Sequence, residues 1–132
     1  MKLIPKLFIA LTVVLASNFA LSQSYPAKSI KLIVPFPPGG PTDIVARPLA
    51  QMLGESMKQS VIVENKGGAG GSVAADFVAK SPPDGYTIMV GTVGTHAING
   101  SLYRQLPYDM TKDFTPIAMV GSTPLILTVH PS

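Results

Sequence analysis

Two glycine-rich segments carry the residues best suited to hold a ligand: Pro37-Pro38-Gly39-Gly40-Pro41-Thr42-Asp43 and Asn65-Lys66-Gly67-Gly68-Ala69-Gly70-Gly71-Ser72. Each follows an apolar, strand-like run and leads into a helix-like run. The chemistry on offer is anion capture, because the first N–H groups of a helix have no partner within it and its dipole is positive at that end. Pro37, Pro38 and Pro41 have no N–H and stiffen the first loop, which leaves Gly39, Gly40, Thr42 and Asp43 as pre-shaped donors. Taken alone, this loop reads equally as a ligand contact or as a tight strand-to-helix turn. Asp43 reads as a helix cap in preference to a ligand acceptor, since a carboxylate there satisfies an N–H and meets the dipole.

The second loop fits neither nucleotide motif. From Gly68 the spacing lacks the third glycine of a dinucleotide fingerprint, and no Gly-Lys-Ser/Thr follows as in a phosphate-binding P-loop. Lys66 reads as a solvated lysine, and Ser72 as a helix-start hydroxyl, because a nucleophile needs a histidine oriented by an acid. A third polar loop, Gly91-Thr92-Val93-Gly94-Thr95-His96, falls on the same expected sheet edge, so Thr92, Thr95 and His96 join the candidate site. His96 and His130 are the only histidines and the chain has no cysteine, which argues against a metal site. No cofactor is implied.

The elements that must position these loops alternate. The run at 30–36 (IKLIVPF) suits a strand buried on both faces. A helix is expected from Thr42 or Asp43 to about Lys58, with Ile44, Val45, Leu49, Met52, Leu53 and Met57 recurring at the spacing of one apolar face and Pro48 as an irregularity. Residues 61–63 and 86–90 read as further strands, and 72–80 as a short helix stopped by Ser81-Pro82-Pro83-Asp84-Gly85. The order β-α-β-α-β implies right-handed crossovers and a parallel sheet, hence an α/β domain with both glycine loops on one edge. Beyond it, a short helix or turn is expected near 97–103, a connection at 107–116, and strands at 117–121 and 125–129.

Residues 1–22 form a signal peptide by pattern: Lys2 and Lys6, an apolar stretch at 7–16, then Ala20-Leu21-Ser22 before Gln23. A transmembrane anchor needs roughly 20 apolar residues, and this stretch is interrupted early. Without Lys2 and Lys6, eight basic residues face seven acidic ones, so the mature chain is near neutral. The charges are scattered singly, which excludes a nucleic-acid footprint. About 110 remaining residues make at most one domain.

Together these stretches resemble the receptors of tripartite tricarboxylate transporters, the Bug or TctC-like extracytoplasmic binding proteins. The resemblance is carried by Tyr25-Pro26-Ala27-Lys28-Ser29-Ile30-Lys31-Leu32-Ile33-Val34-Pro35-Phe36, Pro38 to Asp43 with Arg47, Val63-Glu64-Asn65-Lys66 with Gly68-Ala69-Gly70-Gly71, Pro83-Asp84-Gly85-Tyr86-Thr87, and Leu106-Pro107-Tyr108-Asp109 with Lys112-Asp113-Phe114. It implies a periplasmic receptor of the two-lobed type II, Venus flytrap, fold that is not an enzyme, binds a small carboxylate and passes it to a membrane transporter. It also implies ligand contacts at Pro38, Gly39, Gly40, Thr42 and Asp43 and at Ala69, Gly70, Gly71 and Ser72. Residues 23–132 then correspond to part of the first lobe, and the chain reads as a fragment. Two other functions stay open on the sequence: an exported hydrolase acting on a small acid through Ser72 or a residue outside this stretch, or a truncated chain that has no activity or only contacts another chain.

Overall fold

The computed structural model describes residues 25–123 and 126–130. The expected signal segment, 1–22, lies outside the described residues. Three parallel strands, β1 (Ile30–Val34), β2 (Val61–Asn65) and β3 (Thr87–Met89), form a sheet in the order β2-β1-β3. Ile30 pairs with Val61 and Val34 with Asn65 on one side of β1, while Leu32 faces Ile88 on the other. Helix α1 (Pro41–Met57) connects β1 to β2, and α2 (Ser72–Ala79) connects β2 to β3. One crossover moves outward from β1 and the next returns past it, so right-handedness puts the two helices on opposite faces of the sheet.

β1 is the core because a central strand covered on both faces is mostly apolar; Ile30, Leu32, Ile33 and Val34 are all buried, and only Lys31 reaches solvent, where it pairs with Glu64. Leu32 and Val34 pack with Ala46 and Ala50 of α1, and Val61, Val63, Ile88 and Val90 close around them. At the start of the sheet, the Tyr25 hydroxyl donates to the Gly85 carbonyl at 2.7 Å and the Ala27 N–H donates to the Tyr86 hydroxyl at 2.8 Å. These bonds tie the approach to β1 to the turn before β3.

Three sequence expectations need correction. The buried face of α1 is Asp43, Ala46 and Ala50, whereas Ile44 and Met52 are 64% and 67% exposed and Val45 is also exposed. Leu49, Leu53 and Met57 are half-buried, and at the centre of the contact bulky β1 and β2 residues leave room for little more than alanine beneath the helix. The helix begins after Gly40 with no side-chain cap, so neither Thr42 nor Asp43 caps it; it runs through Pro48 and ends at Lys58 in a left-handed conformation, φ 53°. No strand forms at 117–121, nor among the described residues of 125–129, and Ile117, Met119, Ile126 and Leu127 are exposed. Apolar composition alone does not make a strand, because its backbone groups need a paired neighbour.

The packing predicts a steep contrast within the sheet. Leu32→Ala, at a position 2% exposed, is expected to cost about 2–5 kcal/mol. Ile62→Ala, on the exposed part of β2, is expected to cost less than about 1 kcal/mol. Urea denaturation of the two variants checks the difference.

Candidate functional site

Parallel strands end on one edge, so the segments after β1, β2 and β3 meet there. The chain leaves β1 through Pro35 and Phe36, and an N–H from the second loop, that of Lys66, donates back to the Val34 carbonyl at 2.8 Å. A Cβ added to Gly67 would lie 3.3 Å from the Pro37 ring, so the first two loops are in contact. Gly71 sits where all three loops meet. It has φ +87°, and a Cβ there would stand 2.5 Å from Thr95 Cγ2 and 3.0 Å from Pro35 Cβ.

The first two loops are joined by a buried carboxylate. Asp43, in the first turn of α1, has a side chain only 4% exposed. Its Oδ2 accepts from the Gly39 N–H at 2.9 Å and from Arg47 Nε at 2.8 Å, and its Oδ1 accepts from Arg47 Nη2 at 3.0 Å and from Asn65 Nδ2 at 2.8 Å. Asn65 Nδ2 also reaches the Phe36 carbonyl at 3.0 Å, and Arg47 donates to Asn65 Oδ1 at 3.2 Å. The bidentate bond from Arg47, then the Gly39 N–H and the Asn65 amide, hold the Asp43 carboxyl down at about 2. Asp43 therefore serves neither as cap nor as an open ligand acceptor. It clamps the first loop to the second.

A second network joins the second loop to the third. The segment after β3 forms a π-helical turn, Gly94–Ile98, continued by a single turn α3 (Asn99–Leu102). Asn99 Nδ2 donates to the Gly70 carbonyl and to Ser72 Oγ, both at 3.1 Å. The Tyr108 hydroxyl donates to the Thr95 carbonyl at 2.8 Å. Thr95 is fully enclosed, with its hydroxyl shared among Thr92 and His96 Nδ1. His96 packs edge-on against Phe114, and burial lowers its pKa, favouring the neutral ring.

The structure thus separates the expected site residues by environment. Pro38, Gly39, Ala69 and Gly70 are exposed at the edge, and Gly40, Thr42, Thr92 and His96 are half-buried. Asp43, Gly71, Ser72 and Thr95 are buried supports. Ser72 accepts from Asn99, and among the described residues no histidine bonds to it. Gly68, Ala69, Gly70 and Gly71 all take positive φ, which turns the chain sharply before α2; Ala69, at 46°, does so without glycine's freedom. Among the described residues, the amides of Gly40, Thr42, Asp43, Ala69 and Gly70 have no acceptor, and no group of acidic or histidine side chains could hold a metal.

Sequence reasoning missed Asn99, Tyr103 and Tyr108 as parts of this edge and left Arg47 and Asn65 without a role. The Asp43/Arg47 spacing of four was a readable signal of an ion pair on one helix face. Nothing local announces Asn99.

The sequence profile of the tripartite tricarboxylate transporter family receptor matches residues 45–132. Protein BugT of Bordetella pertussis is 45% identical over 111 residues, covering 83% of this chain and 34% of BugT. Similar solved structures include a periplasmic transporter and a periplasmic binding protein. MatC of Rhodopseudomonas palustris, solved with bound malate, has a TM-score of 0.70 at 43% identity over 73% of this chain and 33% of its own. Rpa4515 of R. palustris, solved with adipate, has a TM-score of 0.68 at 47% identity over 70% and 31%. The chain spans about a third of the length of the proteins it matches.

Two predictions follow from the two networks. Gly71→Ala is expected to destabilise by about 2–4 kcal/mol, from overpacking plus left-handed backbone strain. Gly39→Ala, at φ +82° with nothing within 4 Å, is expected to cost about 1–2 kcal/mol from strain alone; chemical denaturation of both variants measures the gap. The Asp43 value is depressed in the folded state, so its stabilisation is complete above the ordinary 3.8 and is lost as pH falls toward about 2. Asp43→Asn is expected to be less stable at neutral pH and to show a flatter fall of melting temperature across that acid window.

Proposed function

The chain belongs to the tripartite tricarboxylate transporter receptor family, and from that membership we propose that it is an extracytoplasmic solute receptor for a small carboxylate. The carboxylate is held at the sheet edge by backbone N–H groups at the N-terminal ends of α1 and α2, and the receptor delivers it to a membrane transporter of the tripartite type. Residues 1–22 direct export to the periplasm and are removed, and residues 23–132 supply part of the first lobe of a two-lobed receptor.

The observation that carries this reading is the donor surplus of the edge. The Gly40, Thr42 and Asp43 amides on one loop and the Ala69 and Gly70 amides on the other lack protein acceptors among the described residues. The carboxylate nearest to them, Asp43, is turned inward and saturated by protein donors. An edge with free N–H groups whose nearest carboxylate is already saturated favours an anion. The malate and adipate bound by the two R. palustris proteins are both dicarboxylates. The free donors accordingly assign ligand contacts to the amides of Gly40, Thr42 and Asp43 and of Ala69 and Gly70; Pro38 and Gly39, whose N–H is spent on Asp43, shape the first loop, and the Asp43 carboxylate, Gly71, Ser72, Thr92, Thr95 and His96 hold the loops in place.

Titration of the ¹⁵N-labelled protein with di- and tricarboxylates tests the assignment. Saturable shifts are expected at the amides of Gly40, Thr42, Asp43, Ala69 and Gly70, with a rise in melting temperature that grows with ligand concentration. Shifts confined to other regions, or none at millimolar ligand, would refute it.

A further inference from the structure

We infer that Asn99 Oδ1 and the Tyr103 hydroxyl, converging over Gly70, form a subsite for a hydrogen-bond donor on the ligand, a hydroxyl or ammonium group carried beside its carboxylate. The inference rests on the carboxylate-receptor reading and narrows the ligand class within it.

Asn99 is only 3% exposed. The Gly70 carbonyl is acceptor-only, so it fixes which end of the Asn99 amide faces it: Nδ2 donates there at 3.1 Å and to Ser72 Oγ at 3.1 Å. The Tyr108 hydroxyl, 3.4 Å from the same nitrogen, is the lesser contact because the amide has two hydrogens. The remaining amide atom is therefore Oδ1, which lies beside the open position over Gly70. Among the described residues no donor reaches it, and none is bonded to the Tyr103 hydroxyl.

The two oxygens aim at one spot. A Cβ placed on Gly70 would stand 3.2 Å from Tyr103 Oη and 3.3 Å from Asn99 Oδ1, yet the two do not hydrogen-bond each other. Only the absence of a side chain at Gly70 keeps that spot open. It is not sealed: among the described residues the one enclosed side-chain atom without a hydrogen bond is Asp76 Oδ1, which is ion-paired with Lys80 at 2.6 Å. The spot adjoins a cavity of about 280 Å³ whose lining includes Ala69, Ser72, Val73, Asp76, Tyr103 and Leu106.

The chemistry selects a donor. Oδ1 can only accept, and a carboxylate oxygen brought against it would be repelled, whereas a hydroxyl or ammonium group would satisfy it with Tyr103 as second partner. The loop amides can only donate, so the ligand's carboxylate is left to them.

Titrations followed by ¹⁵N shifts, with malate, aspartate and succinate as probes, test the subsite. Malate or aspartate is expected to bind about tenfold more tightly than succinate, because succinate displaces solvent from Asn99 Oδ1 without offering it a donor. Tyr103→Phe, which removes one exposed hydroxyl and no packing, is expected to bring that ratio toward one. Equal affinities for all three acids, or a ratio unmoved by Tyr103→Phe, would overturn the subsite while leaving the carboxylate-receptor reading intact. Failure of all three to bind would overturn both.

Discussion

The geometry of this edge depends on one buried carboxylate. A loop after a strand is tethered only at its ends, and two such loops present converging amides only if something fixes their relative position. Asp43 does so with four short bonds, from Gly39 on the first loop, from Arg47 in α1 and from Asn65 where β2 enters the second loop. Removing a charged acceptor from water is unfavourable unless its lone pairs are filled, and here each oxygen receives two donors. The same saturation takes its charge out of play for an incoming anion. Support and electrostatic tolerance thus come from one side chain.

The remaining tie is made of neutral groups. Asn99 and Tyr108 bridge the second loop to the turn after β3, and the enclosed Thr95 fills the space against Gly71. Neutral hydrogen bonds suffice because Gly71 lets the backbones approach without a side chain between them. The third loop therefore acts as a buttress for the second. Its buried hydroxyl and amide groups are spent on internal bonds, and Asn99 Oδ1 and the Tyr103 hydroxyl are what it leaves facing outward.

The apolar surface is distributed unusually for so small a sheet. α1 lays alanines against β1 and turns Ile44, Val45 and Met52 outward, and the chain after residue 116 carries exposed isoleucine, methionine and leucine. Only β1 has most of its residues buried, Lys31 being its one exposed position. Stability of the described region therefore rests on one central strand and its two covering helices, which is why a truncation there is expected to be felt far more than one on β2.

The alternating apolar runs and glycine turns determined the α/β order, the parallel sheet and the placement of three loops on one edge, because strand-to-helix periodicity and crossover handedness are local or near-local properties. The family resemblance was also legible, in motifs from Tyr25 to Phe114. The face that α1 buries was not, since helical periodicity reveals where apolar residues cluster but not how much room the sheet leaves beneath them. Nor was the role of Asp43, whose partners Gly39 and Arg47 are near in sequence but whose third, Asn65, lies on another loop. The pairing of Asn99 with Gly70 spans twenty-nine residues, and the strand-like runs near the C-terminus stayed unpaired. These outcomes depend on which distant groups meet in space, and only the folded chain decides that.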